Sequence, residues 1–287
     1  MYAPPLGIAI WPLTSLELGA ATKLWYLIHV AVLAGACALM PVSLPLRLST
    51  FGVAALSFAV IHDIVLGNVS VLLLLPLAAA WRWLDQPKGS IAQAMAMSVR
   101  PMLGVLLIWQ LFRRRWRAVA WTIGAGIAIV ALTLPAVGVN GYLDYITVLR
   151  NLGGVTGVEF NYDLSSSLLL LGVAESVGAF ALLGGFVMAV AAIALSLRRD
   201  SEVGFMVTIT ASLLLSPLLW DHYLAMLVLP AAFLASRGHP WALALPMLSW
   251  LPGEALPFLV LVATWLPFLA RDTQGSAAPH ATLEPIL

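Results

Sequence analysis

Residues 116–138, WRAVAWTIGAGIAIVALTLPAVG, carry charge only at Arg117 and stay apolar for longer than the roughly 20 residues a helix needs to cross a bilayer core. Similar blocks recur at about 24–46, 50–66, 69–84, 90–112, 177–197, 203–220, 223–236, 240–252 and 256–270. One signal peptide or anchor could not account for so much of the chain, and the alternation of a membrane barrel is absent. Only 9% of the residues are charged and 62% are hydrophobic, whereas a soluble domain carries roughly 25% charged residues. Too little polar surface is left to cover a water-facing globule. The pattern predicts an all-α, polytopic transmembrane helical bundle of about 9–11 membrane segments, with one domain over 1–271 and a polar cytoplasmic tail over 272–287. The single Cys37 sits inside an apolar block, which excludes an internal disulfide or a thiolate metal cluster and marks it as a small packing residue.

The basic residues set the orientation. With Arg47 in the cytoplasm, Arg82, Lys88, the RRRWR run at 113–117, Arg198, Arg199, Arg237 and Arg271 fall on the same side, which gathers eleven of the fourteen Lys and Arg. This requires that residues 90–112, SIAQAMAMSVRPMLGVLLIWQLF, do not cross. Proline removes a backbone donor and biases the preceding residue away from helix, so Arg100-Pro101 predicts two half-helices that dip in and return. Arg100 then lies deep, where a charge is costly and marks either function or a structural pair. The outer face receives residues 1–22, the turn at Gly67-Asn68, the region 139–176 and the junction at Asp221. The aromatic, amphipathic segment 141–171 suggests interfacial helices. The RRRWR run reads more simply as a positive-inside anchor than as a lipid-phosphate clamp.

Polar residues gather at that outer face. In SPLLWDHYLAMLVLP, residues 216–230, Asp221, His222 and Tyr223 interrupt an apolar run beside Trp220. Carboxylate and imidazole can take a proton from a hydroxyl or hold a phosphate, but the same residues could form a polar turn flanked by interfacial aromatics. His62-Asp63 is either an acid/base pair or one water-facing and one internally satisfied residue, since helix neighbours do not face each other. Asn68 either caps the following helix or contacts substrate. Asp144, Arg150, Glu159, Asn161 and Asp163 form a mixed-charge set of the kind usually found on solvated surfaces, with Asn161 retained as a candidate substrate contact. HExxH, GxSxG, Walker and Rossmann patterns are missing, no cofactor or metal requirement is indicated, and the net charge of +1 points to no nucleic-acid partner.

Four segments in order resemble glycosyltransferase family 87, the polyprenyl-phosphate-mannose-dependent mannosyltransferases of GT-C type. MYAPPLGIAIWPL is similar to the family's YPP segment, and LGNVSVLLLLPLAAAW to its Gly-Gln/Asn-x-Asn/Ser helix start. AMAMSVRPMLGVLLIWQLFRRRWRA resembles its Lys-Pro broken helix with a basic run, and SPLLWDHYLAMLVLP its SP-x-x-W-x-H segment. The resemblance implies a bacterial plasma-membrane enzyme with an outward-facing site, embedded among membrane lipids. It would transfer a hexose, mannose by analogy, from a polyprenyl-phosphate sugar to a glycolipid or glycan acceptor, with inversion.

Carried over by position, His222 matches the motif histidine near the donor phosphate or the reacting hydroxyl. Arg100 takes the place of the lysine before proline, and Asn68 that of the Gln/Asn. Asp221 is expected beside His222 in the catalytic site, with Trp220, Tyr223, His62, Asp63 and Asn161 as substrate contacts. Two departures stand out: the YPP motif reads Tyr-Ala-Pro-Pro here, and the family's general base lies upstream of it. Either a first helix and loop precede Met1 in the reading frame, or this is a truncated, non-catalytic relative or membrane subunit. A third option makes Asp221 or Asp63 the base. A lipid or sugar transporter also fits broken helices and intramembrane charge, but no inverted repeat is visible and the polar residues cluster at the outer face, away from the midplane.

Overall fold

The computed structural model describes residues 3–152, 161–216 and 218–270; the tail expected over 272–287 lies outside them. The described residues form α-helices and short 3-10 segments, with no strand among them. The helices are α1 (Pro4–Ile10), α2 (Leu18–Leu39), α3 (Leu44–Leu56), α4 (Phe58–Val65), α5 (Ser70–Arg82), α6 (Pro87–Val99) and α7 (Val105–Phe112). They continue with α8 (Trp116–Leu152), α9 (Leu164–Leu170), α10 (Glu175–Ser196), α11 (Ser201–Leu214), α12 (Val228–Ser236) and α13 (Leu256–Trp265).

The all-α membrane bundle is as expected, but several hydropathic blocks are not single helices. The block at 24–46 divides between α2 and α3, whose new start places Pro45 where a missing N–H costs nothing. The block at 50–66 bends by 60° between α3 and α4. At that bend the Ser57 hydroxyl bonds the Ala54 carbonyl at 2.8 Å, and the Ala59 N–H finds the Ser249 hydroxyl at 3.0 Å. The expected break at Arg100-Pro101 is present: Arg100 is extended (φ −127, ψ 101), ending α6 before a 3-10 turn leads into α7. Residues 240–250, with Pro246 inside, wind as a 3-10 helix. In the outer region, residues 139–152 are helical as a continuation of α8 beyond a kink at Gly138 (φ 71, ψ 164), a conformation that side-chain-bearing residues resist. Residues 153–160 lie outside the described set.

Among the described residues, three helices are long and apolar enough to cross a membrane alone, α2, α8 as far as Asn151, and α10; α3 and α4 qualify together as a bent pair. That is fewer than the nine to eleven segments predicted. Window hydropathy cannot see where proline and 3-10 turns cut an apolar run into shorter pieces.

The 3-10 segment Asp221–Leu227 and helices α11 and α12 form the buried centre, with Phe205, Met206, Leu224, Met226 and Phe233 inaccessible. Around it α2 packs on α5, α5 on α6, α6 on α8, and α10 on both α9 and α11. Helix α8 lies at the rim and exposes apolar residues such as Leu132 at 81%, the surface expected of a lipid-facing helix.

One end of the bundle collects the arginines. Arg113 donates to the carbonyls of Leu197 (2.7 Å) and Arg199 (2.6 Å) and to the Ser201 hydroxyl (3.1 Å), stapling the turn from α10 to α11. Arg115 binds the Leu84 carbonyl and Asp85, Arg199 the Ala270 carbonyl, and Arg237 the Glu202 carboxylate. Helix C-termini leave carbonyls unpaired, and these cations satisfy several of them. The RRRWR run therefore locks the fold as well as marking a side.

Candidate active site

At the opposite end, three interruptions of helix meet: the end of α4, the break at Arg100, and the chain entering the 3-10 segment at Asp221. Each frees backbone from a helical ladder, and the freed groups are satisfied by side chains far away in sequence. Asp63 is fully buried, and its two carboxylate oxygens accept the N–H groups of Ser70 (2.9 Å) and Val71 (2.8 Å) at the start of α5. A carboxylate there satisfies orphan donors and complements the helix dipole. Asp63 thus caps the start of α5, one of the two roles that the sequence left open for Asn68. The Asn68 carbonyl accepts from Nε2 of His29 at 3.0 Å, a buried histidine whose ring lies 3.8 Å from Asp63.

Ser70, positioned by that cap, accepts a 3.1 Å hydrogen bond from the Arg100 guanidinium. Arg100 is 5% exposed and stacks over the Tyr223 ring, its Cζ 3.6 Å from the centroid. A desolvated cation over an aromatic face gains about 2 kcal/mol, which helps to hold the charge at this depth. Tyr145, on the part of α8 beyond Gly138, lies within electrostatic reach of Arg100 and Tyr223. His222 is 1% exposed, with its ring edge-on to Trp220 (5.3 Å) and Tyr223 (4.8 Å). Its Nδ1 lies 3.4 Å from Asp221, and its Nε2 has no hydrogen-bond partner among the described residues. Buried polar atoms are nearly always bonded, so a buried imidazole nitrogen with no partner among the described residues is a group that calls for an explanation.

Asp221 joins two halves of the region. One carboxylate oxygen faces His222; the other bonds Nδ1 of His62 at 2.9 Å. His62, on the last turn of α4, is thereby paired across 159 positions of sequence and not with its neighbour Asp63. Asn161 is 2% exposed, and its side-chain oxygen accepts the Leu219 N–H at 3.0 Å while the Leu219 carbonyl accepts from Tyr162. Asn161 thus ties the chain down at Leu219, next to Trp220. Tyr162 is pushed up in pKa by burial, then by the charges of Asp221 and Glu254, so its phenol is a hydrogen-bond donor at neutral pH.

The structure thus brings Arg100, Trp220, Asp221, His222, Tyr223 and His62 together, with Asp63 and Asn161 bonded to backbone N–H groups beside them. Sequence reasoning missed His29, Ser70, Tyr145 and Tyr162. Ser70 was the serine of the quoted helix-start motif and could have been found there; the others carry no local signal. No three His, Cys, Asp or Glu side chains among the described residues are grouped to hold a metal.

The sequence model of glycosyltransferase family 87 matches residues 1–217, which takes in His62, Asn68 and Arg100 and ends before Trp220. No curated protein and no solved structure matches the chain. A match over three quarters of the length, on an all-α bundle with membrane-length helices, places this chain in glycosyltransferase family 87 as a membrane glycosyltransferase.

Proposed function

We propose that this enzyme transfers a hexose, mannose in the first instance, from a polyprenyl-phosphate sugar to a glycolipid or glycan acceptor at the outer face of the bacterial plasma membrane. The carrying observation is Arg100: a guanidinium held at the break between two half-helices, bonded to Ser70 and stacked on Tyr223, facing a histidine with an open Nε2. Guanidinium is the side chain best matched to phosphate oxygens, and the lipid-exposed helices around it suit a donor that arrives within the bilayer. In the reaction, an acceptor oxygen attacks the anomeric carbon as the bond from that carbon to the phosphate oxygen breaks. The acceptor proton passes to a base, and the lipid phosphate leaves with the electron pair of the broken bond. Arg100 stabilises charge growing on that phosphate, and His222 Nε2 is placed to bond the phosphate or the reacting hydroxyl. The outward orientation rests on the arginine-rich opposite end.

Membranes carrying the full-length protein, supplied with radiolabelled polyprenyl-phosphate mannose, are expected to label a lipid or glycan fraction. His222→Ala abolishes that labelling, while Asp144→Ala, on an exposed face of α8, leaves most of it. Equal labelling by wild type and His222→Ala would remove His222 from the site, and labelling from a different polyprenyl-phosphate sugar alone would replace mannose.

A further inference from the structure

We infer that a cavity beside the Arg100–His222 cluster is the subsite for the sugar or polyol headgroup of the acceptor; this deepens the glycosyl-transfer reading and rests on it. The cavity measures about 370 Å³ and is lined by Phe58, His62, Tyr162, Asp221 and Trp250, among others. Arg100, Ser70, His222 and Tyr223 are not part of its wall. Its size falls in the lower part of the range for small-molecule sites, roughly 300–1,000 Å³.

The wall has the chemistry of a carbohydrate site. One side is aromatic: the His62 ring stacks on Phe58 at 4.9 Å, and Phe58 meets Trp250 at 5.1 Å. Trp250 is 57% exposed, with its indole N–H tied to the Leu56 carbonyl at 3.1 Å, so the ring is held in place while a face stays available. Such a surface packs against the C–H face of a pyranose. The other side is polar. Nδ1 of His62 hydrogen-bonds the Asp221 carboxylate at 2.9 Å, which leaves Nε2 as the ring's second hydrogen-bonding atom. That Nε2 has no partner among the described residues, and the Tyr162 phenol supplies a donor. Tyr162 itself is seated by a close approach to Gly253, where a β-carbon would fall 1.9 Å from the phenol ring.

The cavity and the Arg100–His222 cluster share one residue, Asp221, with an oxygen directed to each. A transferase needs its acceptor hydroxyl next to its donor, and this arrangement sets two regions of different character side by side. The Arg100–His222 cluster is cationic and deep, suited to phosphate. The cavity is aromatic on one side and polar on the other, suited to a hydroxylated ring.

The test is protection of His62 from carbethoxylation by diethyl pyrocarbonate, read by peptide mass spectrometry on the full-length protein. His239, half-buried at the opposite end with Nε2 3.3 Å from the Leu269 carbonyl, serves as the internal control. A panel of octyl hexosides is compared with an octyl ether lacking sugar. At least one hexoside is expected to slow His62 modification with His239 unaffected, and Trp250→Ala raises the protecting concentration about tenfold, the factor that about 1.4 kcal/mol of ring packing represents. In a parallel transfer assay, Trp250→Ala raises the acceptor KM and leaves the donor KM unchanged. If every hexoside protects no better than the plain ether, the subsite is overturned even where wild-type transfer is intact. Absence of wild-type transfer from any polyprenyl-phosphate sugar would instead overturn the donor reading, and the protection result is read independently of it.

Discussion

Replacing Asp63 with asparagine leaves one side-chain oxygen for the two amide donors that the carboxylate now satisfies, Ser70 N–H at 2.9 Å and Val71 N–H at 2.8 Å, at a site with no solvent to substitute. One buried N–H then faces an amide NH2 or nothing, and the other bond loses its charge assistance. An orphaned buried donor costs about 1–3 kcal/mol, and a bond to a charged acceptor exceeds a neutral one by about 1 kcal/mol, so the change sums to about 3 kcal/mol. In a chain of this length about 1 kcal/mol moves the midpoint by a little under 2 °C, so Asp63→Asn should melt about 5 °C below wild type. The assay is thermal unfolding of the detergent-solubilised protein, paired with sugar transfer measured well below both midpoints. The variant should remain active there, because Asp63 has no spare oxygen for chemistry. A midpoint within about 1 °C of wild type, with transfer abolished, would refute the capping argument and make Asp63 the base.

The remaining predictions follow from other contacts. Arg100→Ala should lower transfer by about 100-fold, the usual cost of losing a group that stabilises transition-state charge, and Arg100→Lys should fall between it and wild type because the charge survives while the planar fork is lost; rates in membranes decide this. Gly138→Ala forces a side chain into a positive-φ conformation and should cost about 1–3 kcal/mol in thermal stability. Arg113→Ala removes three hydrogen bonds across the α10–α11 turn and should cost about 2 kcal/mol after allowance for partial exposure, again read as a lowered midpoint. A membrane-impermeant maleimide added to intact cells should label Leu170→Cys but reach Lys88→Cys only after permeabilisation; the reverse pattern would invert the proposed orientation.

Hydropathy and charge made the class of this protein legible. The break at Arg100-Pro101 was also visible, because proline acts on its own residue and the one before it. Helix boundaries were less so: the bend at Ser57 depends on Ser249, a partner 190 positions from the N–H that it satisfies. The candidate site was half legible. Asp221, His222, Tyr223 and Arg100 announced themselves as polar residues in apolar surroundings, but their partners did not. Asn161 looked like a loop residue among solvated charges, and only the packed chain shows its bond to Leu219.

What the sequence determined alone is what local, additive physics controls: an all-helical membrane chain, a basic end, a broken helix, and a handful of polar groups too costly to keep there without purpose. What the tertiary structure decided is which partners each of those groups meets. Asp63 and Asp221 are the same residue type at comparable positions in their runs, yet one is used up by two backbone amides and the other bridges two histidines. That difference is set by long-range hydrogen-bond partners, and a carboxylate's role depends on what its oxygens face once the helices have packed.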